Sequence, residues 1–368
     1  MEERNRLPES EVYREKIRRE FLICERESLM NEQGMLNRTN DHIALWDNLK
    51  FLLILLVVVG HFADFFTAES NSFRALFLFI YSFHMPMFFF ISGLFFSEKR
   101  IASKVLYYLS LTYLLKIILI IIDRCFGMKR PFFDLLAPDG AAWFTFVLAA
   151  FTLISYLIRN HKKVYIAIAF LILACFVGYD VSVGDTFCLS RIIIFFPFYC
   201  FGTILHSQKI VALKKKVKPW LYILAVIFVL SWLFFCFFYC DIAYHLRHLF
   251  TGRNPFSESV LAVGPLARLF CYVVTFGMCI SLIIIVPDKQ INPITKWGSR
   301  TLTVFFWHLP IYYLIERLIG IGRLFYLGHW GKVLFLLCAV LLTIILSQFP
   351  FFGAPLDQIK KICYWKRT

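Results

Sequence analysis

Three histidines lie inside stretches otherwise made of apolar residues: His61, His84 and His308. Ionisable groups in such a setting cost roughly 3 kcal/mol or more, so each is a functional candidate by default. His61 has the densest company. Its run opens Trp46-Asp47-Asn48-Leu49-Lys50, reaches Gly60-His61 after ten further residues, and continues to Asp64. Eleven helical steps turn about 1100°, roughly 20° past three full turns, so Lys50 and His61 share a face about 16 Å apart. Asp47 precedes Lys50 by three residues and can pair with it on that face; Asp64 bears the same relation to His61. Read blandly, Asp47 and Lys50 are interfacial anchors. For His61, in an otherwise apolar helix after Gly60, the bland reading stays open beside the functional one. A neutral imidazole can take a proton from a hydroxyl and return it to a leaving group, which is what acyl transfer needs.

The second candidate stretch is Ser82-Phe83-His84-Met85-Pro86, continuing to Ile91-Ser92-Gly93. Pro86 is expected to bend the helix and Gly93 to allow close packing. His84 then falls near mid-membrane, either at the site or bonded to a neighbouring helix. Trp143 opens a fourth run and Arg191 a sixth, where it serves a site or anchors the interface. Trp297-Gly298-Ser299-Arg300-Thr301 leads into Phe306-Trp307-His308-Leu309-Pro310. His308 beside a helix proline has a purely structural reading as well. His61 and His84 have no carboxylate or Cys arrangement typical of a metal site, so no metal is called for.

The elements that must position these residues follow from composition. Of 368 residues, 60% are hydrophobic and only 17% charged. Soluble domains are about 45–50% apolar and about 25% charged. A soluble enzyme, a nucleic-acid binder and a disordered chain are excluded, leaving an all-α polytopic membrane protein. About ten apolar runs are expected as spanning helices, near 45–64, 73–96, 101–122, 141–158, 164–179, 191–206, 219–239, 260–286, 302–320 and 332–350. The net charge of +15 falls in short clusters between the runs. With the N-terminus inside, the inner segments carry about 26 Lys/Arg and the outer loops about 6, as the positive-inside rule requires. Both termini are then cytoplasmic. The chain divides into a charged segment 1–44, helix-like from Glu9 to Leu29 and unlike a secretory signal, a membrane domain 45–350 and a basic tail 351–368. The eleven cysteines show no paired spacing; one bridge among Cys125, Cys188 and Cys240 stays open.

These residues resemble a known family. Lys50 and His61 match the Arg/Lys-x10-His signature of the acyltransferase-3 superfamily of integral membrane acyltransferases. The stretch from Trp46 to Phe62 is most similar to its fucose 4-O-acetylase-related branch. Ser82 to Gly93 resembles the family's second-helix motif, and Gly298-Ser299 through His308 its "G-x-S-L…Y-L-x-H" segment. Lys50 replaces the more familiar Arg, keeping the charge and losing the bidentate fork. Arg300-Thr301 and Phe306-Trp307 also depart from the pattern, while His308 is kept.

The resemblance implies a stand-alone O-acetyltransferase of a bacterial cytoplasmic membrane. The donor would be cytoplasmic acetyl-coenzyme A, a substrate rather than a bound cofactor. The acceptor would be a hydroxyl of a cell-surface glycan or its lipid-linked precursor. On this reading His61 is the base or a transient acyl carrier, with Asp64 orienting it and His84 assisting. Asp47, Lys50, Trp143, Arg191, Arg300 and His308 contact the donor or substrate. The rival reading is a transporter with an intramembrane proton or substrate path. It should show matched broken helices in two halves, and Pro86 and Pro310 lack matching flanks.

Overall fold

The computed structural model describes residues 44–128 and 140–364. The expected helix-like stretch Glu9–Leu29 lies outside them. The chain forms α1 (Ala44–Asp64), α2 (Asn71–Tyr81), α3 (His84–Leu94), α4 (Ile101–Cys125), α5 (Ala142–Leu157), α6 (Lys163–Phe176), α7 (Leu189–Ile204) and α8 (Ser207–Lys214). It continues through α9 (Pro219–Phe238), α10 (Cys240–Tyr244), α11 (Arg247–Phe250), α12 (Gly264–Ile285), α13 (Ile294–Gly298), α14 (Thr301–Ile319), α15 (Gly328–Gln348) and α16 (Ala354–Cys363). There is no strand among the described residues, and the fold is all-α.

Among the described residues, seven helical segments are long and apolar enough to cross a bilayer. They are α1, α2 with α3, α4, α7, α9, α12 and α15, some with the short turn that precedes them. The other three apolar runs are helical where expected. Two of these, α5 and α6, are shorter, and α14 is interrupted by His308, Glu316 and Arg317. Helices of this kind satisfy every backbone group internally, which lipid demands. Side chains then sort by neighbour. On α9, Ile223, Ile227, Leu230, Phe234 and Phe238 face outward, as a lipid-contacting surface would. Most of α1 faces inward, with Trp46, Leu49, Leu53, Val58 and Phe62 almost fully buried.

The expected bend at Pro86 takes a different form. The break falls earlier, at Ser82-Phe83, between α2 and α3. Pro86 sits in the first turn of α3, where a missing N–H costs nothing because it has no intrahelical partner. Neighbours satisfy the break: Trp232 Nε1 donates to Ser82 Oγ at 2.9 Å and Thr275 Oγ1 to the Ser82 carbonyl at 2.7 Å. Gly93 does meet its expected use. A Cβ there would lie 2.1 Å from the Tyr199 carbonyl, and one on Gly202 would lie 2.2 Å from that of Phe90. The two glycines let α3 and α7 touch backbone to backbone.

Cys125, Cys188 and Cys240 form no disulfide. The basic tail contains α16, whose Leu356 is buried and whose Cys363 Sγ lies 3.8 Å from Ser110 Oγ of α4.

Candidate active site

The start of α1 is clamped by the segment before α14. Asn48 Nδ2 donates to the carbonyls of Pro287 (3.0 Å) and Lys289 (2.9 Å), and Thr295 Oγ1 donates to Asn48 Oδ1 at 2.6 Å. Gly298 abuts Asp47 so closely that a Cβ would lie 1.8 Å from its carbonyl oxygen. The stretches around residues 46–50 and 297–300 are therefore one structural unit. From it α1 and α14 rise side by side and bring His61 and His308 together, ring centroids 5.1 Å apart.

Each imidazole is held differently. His308 is fully buried, and its Nδ1–H donates to the carbonyls of Phe305 (2.7 Å) and Val304 (3.2 Å). His84, 2% exposed, donates Nδ1–H to Ile80 at 2.7 Å. In both neutral rings Nε2 is left as a bare acceptor, and that of His308 has no hydrogen-bond partner. His61 is instead partnered by a side chain: its Nδ1 lies 3.3 Å from Tyr81 Oη. When Nδ1–H donates to Tyr81, His61 presents Nε2 as a base. The Tyr81 ring also meets His84 edge-on at 4.6 Å. Asp64, expected to orient His61, lines the same cavity but makes no hydrogen bond to the ring among the described residues.

That cavity has a volume of about 240 Å³. Its walls include His61, Asp64, Tyr81, Trp143, Arg191, Arg247, His248 and Arg253. It lies at the end of α1 opposite the Asp47–Lys50 pair. The Arg191 guanidinium stacks over Trp143 at 4.8 Å and meets Asp185 at 3.4 Å. Burial, aided by Arg247 and Arg253, holds the His248 imidazole below its usual range.

The nine sequence-nominated residues thus separate into two groups. His61, Asp64, Trp143 and Arg191 line the cavity, and His84 and His308 stand behind it. Asp47, Lys50 and Arg300 lie at the other end of α1, about 16 Å away by helical rise. There Lys50 Nζ pairs with Asp47 at 2.6 Å. Arg300 Nη1 donates to the carbonyls of Ser347 and Gln348, both at 2.8 Å, and so caps α15. Sequence reasoning missed Tyr81, Arg247, His248 and Arg253. The last three were visible only as a polar cluster in an outer loop.

Fold and site together define an integral membrane protein in which one of three clustered imidazoles, His61, lines a polar cavity. The family model described as acyltransferase domain, acyltransferase 3, matches residues 43–350. The chain belongs to the acyltransferase-3 family and is a membrane acyltransferase. The family favours this over the transporter reading. No match was found among curated proteins or among solved structures.

Proposed function

We propose that the protein moves an acetyl group from cytoplasmic acetyl-coenzyme A to a hydroxyl of a cell-surface glycan or its lipid-linked precursor. The observation that carries this reading is the His61–His308–Tyr81 cluster, which opens on a polar cavity at the end of α1 remote from the basic rim formed by Lys50, Lys289, Lys296 and Arg300.

In the transfer, His61 Nε2 takes the proton of the acceptor hydroxyl as its oxygen attacks the thioester carbonyl. Tyr81 holds the ring through Nδ1 and stabilises the imidazolium that forms. Arg191, fixed by Trp143 and Asp185, offsets negative charge on the tetrahedral carbon's oxygen. The C–S bond then breaks, and the coenzyme A thiolate receives the proton from His61. Lys50, with other basic groups of the rim, attracts the phosphates of the donor. Donor and acceptor thereby approach from opposite sides, and ten spans with both termini inside fit this arrangement.

The test is direct. Full-length protein in liposomes is given radiolabelled acetyl-coenzyme A and a saccharide. Labelled saccharide with stoichiometric free coenzyme A is expected. Release of coenzyme A without labelled saccharide would sink the assignment of a sugar hydroxyl as acceptor.

A further inference from the structure

The cavity carries more positive charge than the transfer step requires. One transient oxyanion needs one cationic partner, and Arg191 is already placed for it. Arg247 and Arg253 line the same walls, with Asp64 as the one carboxylate among the described lining residues. Arg191 is itself 6% exposed, with Nε unpartnered, and its Asp185 partner lies outside the lining. Standing charge of one sign in a recess calls for standing charge of the other sign in its ligand.

The segment that carries the arginines is packed in place, with Arg247 half-buried and Arg253 exposed at the cavity wall. Gly252 adopts φ +70°, and a Cβ there would lie 2.7 Å from Phe195 and 3.4 Å from Arg191 Cγ. The loop is thereby pressed onto α7 in a left-handed conformation that favours glycine. From below, Arg268 Nη1 donates to the Leu249 carbonyl at 2.5 Å. Arg247 is oriented by Tyr244 Oη, to which it donates at 2.9 Å, and by His248 Nε2 at 3.2 Å. The size matters too. About 240 Å³ is less than the roughly 300–1,000 Å³ of sites for drug-sized ligands. It suits one sugar unit and not coenzyme A.

We infer that this cavity takes an acceptor unit bearing its own anionic group, a carboxylate or a phosphate, held by Arg247 and Arg253 while a hydroxyl reaches His61. The inference rests on the acyl-transfer reading for the hydroxyl's fate and on the arginines alone for the anion.

Three probes separate the possibilities: methyl glucuronide, methyl glucoside 6-phosphate and neutral methyl glucoside. The full-length protein in liposomes is assayed for transfer to each, and for binding of each without donor. At least one anionic probe should exceed the neutral one about tenfold in kcat/KM, as one charge-assisted hydrogen bond would produce. Which anionic probe wins identifies the source of the charge. Arg247→Gln and Arg253→Gln should each reduce that ratio about tenfold, and Arg253→Lys should retain most of it. Thermal unfolding confirms that each variant is folded. Equal transfer to all three probes, with a ratio unmoved by the variants, overturns the inference and leaves acetyl transfer standing. Arginine-dependent binding of an anionic probe with no transfer to any probe does the reverse. Absence of both transfer and anion-dependent binding overturns the inference as well.

Discussion

His61 and His308 face each other with ring centroids 5.1 Å apart and planes tilted by 37°. They come from helices more than 230 residues apart in the chain, yet only one of them is free to be steered by a neighbour. His308 has its Nδ1–H committed to its own helix. His61 takes its second contact from the Tyr81 hydroxyl, so its tautomer follows the state of that hydroxyl. In the proposed transfer His61 is accordingly the proton carrier of the pair and His308 a fixed acceptor behind it.

From this the first expectation follows. His61→Ala should insert and fold while losing transfer by about 10²–10⁴-fold, the range of a general base. The measurement is single-turnover transfer by purified variant, with thermal unfolding as the folding control. Near-wild-type transfer by a folded variant would move the base to His308.

Tyr81→Phe keeps the ring that packs on Phe77 and His84 and removes the hydroxyl 3.3 Å from His61. A net hydrogen bond of about 1 kcal/mol predicts a fall in kcat of several-fold to tenfold. Steady-state kinetics in both substrates tests it. A change confined to KM would place Tyr81 in binding rather than in orienting the imidazole.

Gly93→Ala should destabilise the bundle by about 1–3 kcal/mol or more, because the added methyl meets the rigid Tyr199 carbonyl and not a movable side chain. Thermal unfolding in detergent would show a lowered midpoint. An unchanged midpoint would mean that α3 and α7 are not in backbone contact.

His248 sets a pH dependence with a definite sign. Burial, then Arg247 and Arg253, depress its folded-state pKa, so the unfolded chain takes up the proton first as pH falls. The associated stability is present above roughly pH 6.5 and is lost as pH falls through the lowered folded value. His248→Gln should lose that part of the acid sensitivity. Unfolding midpoints between pH 8 and 5 for both proteins provide the comparison, and parallel curves would refute it.

The topology has its own test. Cys125 is exposed at the end of α4, and Cys363 lies in the last turn of α16. In single-cysteine variants in intact cells, an impermeant maleimide should label Cys125 and not Cys363. The reverse pattern would invert the orientation of the whole bundle.

Much of this arrangement was legible from local pattern. The apolar runs are helices, Asp47 and Lys50 pair, and Gly93 marks a close helix contact, because periodicity and residue size act over a few turns. What was not legible depends on chain segments far apart in sequence. Tyr81 looked like one aromatic among many until α2 was set against α1. Arg247 and Arg253 were counted as loop charges, since topology and ligand binding use the same residue types. Arg300 sits in a motif-like stretch but caps α15, a partner that no spacing reveals. The helix break fell at Ser82 and not at Pro86 because Trp232 and Thr275 were there to satisfy it.

Between the Asp47–Lys50 pair and His61, α1 turns Leu53, Ile54, Val57 and Val58 into the core, each no more than 1% exposed. With donor and acceptor on opposite sides, as proposed, such an enzyme risks becoming a leak between two compartments. On the proposed arrangement these packed apolar side chains are the stretch of α1 that would separate the Asp47–Lys50 pair from the imidazoles and deny water a path along the helix. Catalysis has to open that packing only as wide as a thioester arm, and only for as long as the donor itself plugs the gap.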